Sequence, residues 1–149
     1  KSNLISLQPI YNVIGSSIHY FDDVGSGQKV KAINQILVAG TYASVAEAIA
    51  LGMEQNLPMN DVVSALSRGA GGSWALTNRS ENMLKDEYPL GFKLKLHMKD
   101  LQIALDTSES CGMDLPITKL VYSIEKQLIS KGFGDHDISV LKKYMANYI

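Results

Sequence analysis

Residues 30–53 read VKAINQILVAGTYASVAEAIALGM, and only Lys31 and Glu47 in this stretch carry charge. At 100° per residue, Lys31, Asn34, Gln35, Val38, Tyr42, Val45 and Ile49 share one face, with Gly27 one turn earlier. Ile33, Leu37, Gly40 and Leu51 occupy the opposite side. A helix that is apolar on both sides is a buried helix. Asn34, Gln35, Thr41, Ser44 and Glu47 make it too polar for a membrane span. The helix is predicted over Gly27–Asn56, stopped by Pro58. Such a helix is about 45 Å long, hardly less than the width of one small domain. Part of its surface is therefore expected to be covered by a further domain and part by a second copy of the chain.

Every later element is predicted to be helical. A short helix is expected over Asn60–Ser67, with Asn60 as a cap, and another over Trp74–Lys85, capped by Ser73 after Gly69-Ala70-Gly71-Gly72. Helices follow over Phe92–Cys111, ended by Gly112, and over Pro116–Lys131, ended by Gly132. The last spans about Asp135 to Asn147. Upstream the pattern differs. Leu4 to Ile14 is mixed apolar with Pro9, Gly15 breaks it, and Ser17-Ile18-His19-Tyr20-Phe21 reads as a short strand ended by Asp22-Asp23. One strand cannot form a sheet. The fold class expected is therefore all-α, built on one long buried helix, with residues 1–24 the remnant of an α/β domain and residues 25–149 the helical domain.

The chain has 149 residues, 46% hydrophobic and 19% charged, which suits one domain with a substantial core. A net charge of −1 argues against nucleic acid and polybasic membrane partners. Cys111 is the one cysteine, so there is no internal disulfide and a reducing, cytoplasmic setting is expected. Beside Gly112, it reads as packing at a helix end. The chain opens Lys1-Ser2-Asn3 rather than with methionine and is expected to be a piece of a longer polypeptide. His19, His97 and His136 show no metal spacing, and no metal is expected.

Lys31 holds the chemical interest. A lysine in the first turns of a buried helix is disfavoured twice, by desolvation and by the positive helix end. Both favour loss of its proton, as a general acid/base near neutral pH requires. The other reading is a solvated lysine at a helix end, like Lys29 beside it. Lys99 likewise reads either as a ligand-facing cation, on one side of its helix with Phe92, Lys95, Leu96, Ile103 and Asp106, or as part of a solvated cluster with Lys93 and Lys95. Ser73 and Trp74 read either as cleft residues or as a cap and a core tryptophan. Gly25-Ser26-Gly27 does not open a dinucleotide fingerprint, because Val30 stands where the third glycine would be. These glycines instead allow close approach to exposed N–H groups that suit a carboxylate.

The run Gly25-Ser26-Gly27-Gln28-Lys29-Val30-Lys31-Ala32-Ile33-Asn34-Gln35 resembles the G-x-G-x-x-x-K-x-x-N segment of the β-hydroxyacid dehydrogenases. That family includes 3-hydroxyisobutyrate, threonate and 6-phosphogluconate dehydrogenases and tartronate semialdehyde reductase. Lys99-Asp100-Leu101-Gln102-Ile103-Ala104-Leu105-Asp106 is similar to its K-D-L-x-x-A-x-D. The resemblance extends over about residues 17–145. It implies an N-terminal Rossmann domain, NAD or NADP bound mainly by that domain, and a small hydroxyacid as substrate in the cleft between domains. Lys31 aligns with the catalytic lysine. Gly27, Asn34, Gln35, Ser73 and Trp74 would face the substrate, and Phe92, Lys99 and Asp106 the cofactor. Gln35 departs from the asparagine of many members and matches threonate-type enzymes better. A homodimer or homotetramer is implied. The competing class is a non-catalytic helical oligomerisation module, which has no need of a Lys31-Asn34-Gln35 cluster.

Overall fold

The computed structural model describes residues 2–21 and 23–146, with side chains from residue 5 onward. Among them the chain forms seven α-helices, two 3-10 turns and no strand. In order these are α1 (Ser2–Ile14), α2 (Ser26–Glu54), α3 (Met59–Leu66), α4 (Trp74–Lys85), α5 (Leu94–Ser110) and α6 (Pro116–Ser130). The 3-10 turns Phe133–Asp135 and Ile138–Val140 then lead into α7 (Leu141–Met145). The fold class is all-α. Two compact units divide the chain, Lys1–Lys31 and Ala32–Ile149, and α2 runs through the division.

In the first unit α1 carries Pro9 inside it, and the Gly15 N–H donates to the Tyr11 carbonyl at 3.0 Å. The strand expected over Ser17–Phe21 does not form. A β-ladder needs a second strand to complete its hydrogen bonds, and no described segment supplies one. Asp22 and Asn147, where the expected strand and last helix end, lie outside the described residues. Gly25 adopts φ +90°, left-handed backbone open to glycine at little cost. Its carbonyl receives the N–H groups of Gln28 and Lys29 at 3.0 and 3.2 Å as α2 begins.

The second unit holds the core. From α2 it takes Tyr42, Val45, Ala46 and Ile49, from α3 and α4 Met59, Leu76 and Met83, from α5 and α6 Leu94, Ile124 and Leu128, and from the C-terminal turns Ile138, Val140 and Leu141. Ala39, Leu101 and Val121 join α2, α5 and α6 in a smaller cluster. Within this chain α2 is buried on one side only: Gln35, Ala39, Tyr42, Val45, Ala46 and Ile49 are buried, whereas Ile33, Leu37 and Leu51 are 58%, 64% and 64% exposed, and Lys31 and Asn34 at its start are exposed too. By length and composition alone α2 could also cross a membrane, but its buried side packs into this core.

Helix ends follow local chemistry. Asn56 leaves α2 with φ 54° and Asp86 ends α4 with φ 57°, left-handed positions that short polar side chains tolerate. Ser73 caps α4 as expected, its Oγ accepting the Leu76 N–H at 3.1 Å. Asn60 does not cap α3; Pro58 holds that position and no side chain caps it. Cys111 sits at the end of α5 but is exposed rather than packed. The single helix expected over Asp135–Asn147 is broken, because the Asp137 carboxylate accepts the Ser139 N–H at 3.0 Å and its hydroxyl at 2.6 Å, holding the chain in a 3-10 turn.

Candidate active site

The two stretches singled out in the sequence meet inside the second unit. Gln35 on α2 is 5% exposed. Its Nε2 donates to Asp100 Oδ2 on α5 at 2.8 Å, and its Oε1 accepts from Asn34 Nδ2 at 3.3 Å. On the far side Lys99 Nζ lies 3.4 Å from Asp100 Oδ1. A polar chain thus runs Asn34–Gln35–Asp100–Lys99, buried in the middle and exposed at both ends. The Gln35 amide is committed on both sides, so Asn34 and Lys99 are the members that face outward.

Beneath this chain lies a pair absent from the sequence reading. His97 on α5 and Glu125 on α6 have fully buried side chains, with Nδ1 and Oε1 2.6 Å apart. His97 Nε2 lies 3.3 Å from the Gln35 main-chain carbonyl. That carbonyl can only accept, so Nε2 carries the hydrogen. Burial pushes the Glu125 carboxyl up, opposed by His97. Glu125 Oε2 has no hydrogen-bond partner among the described residues, which is costly for an anion and tolerable for a neutral acid. Nε2–H therefore donates to Gln35, while Nδ1 and Glu125 Oε1 share a hydrogen across the 2.6 Å contact. Only Glu125's placement opposite His97 on the next helix could have flagged it, and sequence spacing does not report that.

Phe92 precedes α5 instead of lying in it. Its N–H donates to Asp137 Oδ2 at 2.9 Å, its carbonyl accepts the Ile138 N–H at 2.9 Å, and its ring meets the His97 ring edge-on at 5.7 Å. Asp137, fully buried, also accepts the Gly91 N–H at 3.1 Å and lies 3.5 Å from Arg79 Nε. A Cβ on Gly91 would come within 2.5 Å of Arg79 Nη2 and 2.9 Å of Asp137 Oδ2, so a side chain there would push the guanidinium or the carboxylate aside. Arg79 reaches back over the Trp74 ring at 4.8 Å. Trp74 is 60% exposed, so it is not a core tryptophan. It borders a depression of about 280 Å³ with Ser73, Leu37, Val38, Thr41 and Tyr42.

The basic cluster divides. Lys93 and Lys95 bind Asp135, at 2.6 and 2.8 Å, leaving Lys99 with Asp100. The two ammonium groups hold the Asp135 carboxyl down to about 2. Its ion pairs are complete above the usual aspartate range and are lost as pH falls through about 2. An NMR titration should return that midpoint, and Lys93→Ala with Lys95→Ala should restore an ordinary aspartate value; an unmoved midpoint would remove the clasp. Asp106 is exposed two turns beyond Lys99 and accepts from Gln102 at 2.7 Å.

Lys31 closes the first unit and is exposed, so the desolvation expected of a buried lysine is missing here. Its place in the opening turns of α2 stands. Gly27 is exposed, and a Cβ there would meet nothing within 4 Å. It borders a depression of about 490 Å³ lined within the same unit by residues that include Tyr11, His19 and Tyr20. For a nicotinamide cofactor, the exposed Lys99 ammonium and the half-buried Phe92 are suitable contacts, while the described residues carry no G-x-G-x-x-G turn for its pyrophosphate.

The model of a family described as "NAD-binding of NADP-dependent 3-hydroxyisobutyrate dehydrogenase" matches residues 25–145. An uncharacterized oxidoreductase of Bacillus subtilis is 36% identical over 89% of this chain and 46% of its own length. The 2-(hydroxymethyl)glutarate dehydrogenase of Eubacterium barkeri is 30% identical over 92% of the chain and 46% of itself. The crystal structure of a 3-hydroxyisobutyrate dehydrogenase from Salmonella typhimurium superposes with a TM-score of 0.89 at 26% identity, covering 97% of this chain and 51% of that one. The chain spans about half the length of the relatives it matches. With NAD or NADP as its cofactor class, this chain belongs to the 3-hydroxyisobutyrate dehydrogenase family.

Proposed function

We propose that the chain is the C-terminal substrate-binding and catalytic domain of an NAD(P)-dependent 3-hydroxyacid dehydrogenase, with Lys31 as general acid/base. The observation that carries this reading is the Gln35–Asp100 hydrogen bond at 2.8 Å, which draws the Asn34-Gln35 and Lys99-Asp100 stretches together as an active site would need. A bound nicotinamide would supply the hydride acceptor, held on this chain's side by Phe92 and Lys99. Lys31 Nζ takes the proton of the substrate hydroxyl and returns it in reduction. Asn34 hydrogen-bonds the substrate, Gln35 holds Asn34 and Asp100 in place, and the N–H groups near Gly27 receive the carboxylate. Ser73 and Trp74 border the substrate, and Phe92, Lys99 and Asp106 serve the cofactor. Residues 1–24 would close a Rossmann domain that binds most of the nucleotide, with residues 25–149 the helical domain. The free thiol of Cys111 suits a cytoplasmic setting.

The test compares the full-length protein with the isolated chain. The former should oxidise small 3-hydroxyacids with NAD or NADP, and the latter should show no turnover. Micromolar nucleotide affinity of the isolated chain by calorimetry would contradict the division of labour.

The exposed Ile33, Leu37 and Leu51 on α2 favour a second, compatible role as a subunit interface. Two-fold association is the commonest symmetry. Light scattering at low micromolar concentration should report a dimer or larger; a monomer of 16.3 kDa would mean that this side of α2 is not an interface.

A further inference from the structure

Gln35 is gripped twice from adjacent turns of α5: its carbonyl by His97 at 3.3 Å and its amide by Asp100 at 2.8 Å. His97 and Asp100 are three residues apart and so share one face of α5. Glu125 brings α6 to the same point through its 2.6 Å contact with His97. Apolar packing tolerates repacking when volume is kept, so it fixes the register of two helices less sharply than directional hydrogen bonds do. Two hydrogen bonds to a single residue define both the axial position and the rotation of α2 against α5. Stability does not require such a pair, since well-packed apolar residues of similar volume serve a core equally well.

We propose that His97 and Glu125 are a positioning dyad: by holding the Gln35 carbonyl they set the register of α2 against α5, and with it where Asn34 and Lys99 stand relative to substrate and cofactor. The dyad rests on the dehydrogenase reading above, and its action is indirect, through Gln35.

Three variants of the full-length enzyme test it: Glu125→Leu, the double variant His97→Leu/Glu125→Leu, and Glu125→Gln. Glu125→Leu leaves a buried imidazole nitrogen unmatched and should lower both the thermal midpoint and turnover. The double variant removes both polar partners, so its midpoint should return close to that of the wild type. Its kcat should nonetheless stay down by roughly 10²-fold, the scale of a misplacement of about 1 Å, with a raised KM for the nucleotide. Glu125→Gln keeps both a side-chain oxygen and an amide N–H, either of which can pair with Nδ1, and should keep kcat within about threefold. A double variant that recovers kcat together with its midpoint would overturn the proposal, as would Glu125→Gln losing as much turnover as Glu125→Leu. The side-chain amide resonances of Gln35 in isotope-labelled protein give a readout independent of turnover. They should move in the double variant, and unmoved resonances overturn the grip. Should the wild-type enzyme oxidise no small 3-hydroxyacid, the dehydrogenase reading falls, and the Gln35 resonances alone decide the dyad.

Discussion

Lys31→Ala in the full-length enzyme should lower kcat by roughly 10²–10⁴-fold, the usual scale for loss of a general acid/base. That corresponds to about 3–5 kcal/mol of transition-state stabilisation. Folding should be spared. Lys31 is exposed, and alanine is the best helix former, so the substitution removes no core contact and no helix propensity. KM for the nucleotide should change little, because the pyrophosphate and adenine are expected to bind on the Rossmann domain. Lys31→Arg should not rescue turnover, since a guanidinium does not give up its proton near neutral pH. The measurement is steady-state kinetics with saturating NAD or NADP and a varied 3-hydroxyacid. A variant that keeps more than about a third of wild-type turnover would take Lys31 out of the proton transfer.

Asp137→Ala should be the most damaging single change to stability. The carboxylate receives three main-chain N–H groups, from Gly91, Phe92 and Ser139, together with the Ser139 hydroxyl, and faces Arg79. Removing one partner of a buried polar network costs about 3–5 kcal/mol, against a total stability of roughly 5–15 kcal/mol for an ordinary domain. The loss should appear as a large drop in the urea midpoint with little change in slope. Because Phe92 hangs from the same carboxylate, the start of α5 should loosen first, and amide exchange there should quicken. A loss below about 1 kcal/mol would show that the N–H groups find water or other acceptors at little cost.

Much of the fold was legible because it depends on spacing along the chain. The two apolar sides of α2, the Ser73 cap, Pro116 at the head of α6 and Gly112 and Gly132 after the ends of α5 and α6 all act within one or two helical turns. Each element can be read one at a time. The family likeness was legible for a related reason: Gly25 to Gln35 and Lys99 to Asp106 are each continuous stretches whose residue types stand in order. Readings that depended on distant partners went differently. Residues 17–21 have the composition of a strand, but strand pairing belongs to two segments and the second is missing among the described residues. Asp135–Asn147 has the periodicity of one helix, yet the Asp137 carboxylate bonds the next turn's N–H and breaks it. Lys31 sits on an apolar helix, yet exposure is decided by what packs on it, not by the helix itself.

Chain order alone thus determined the all-helical class, the long helix and the residues worth suspecting. Tertiary structure alone decided that Gln35 is gripped by Asp100 and His97, that Glu125 reaches His97 from α6, and that Asp137 anchors the entry to α5. Those contacts join residues 28 to 65 positions apart. A periodic pattern specifies which side of a helix turns inward; it carries no record of which other helix that side will meet, because that choice is made only when the apolar surfaces pack.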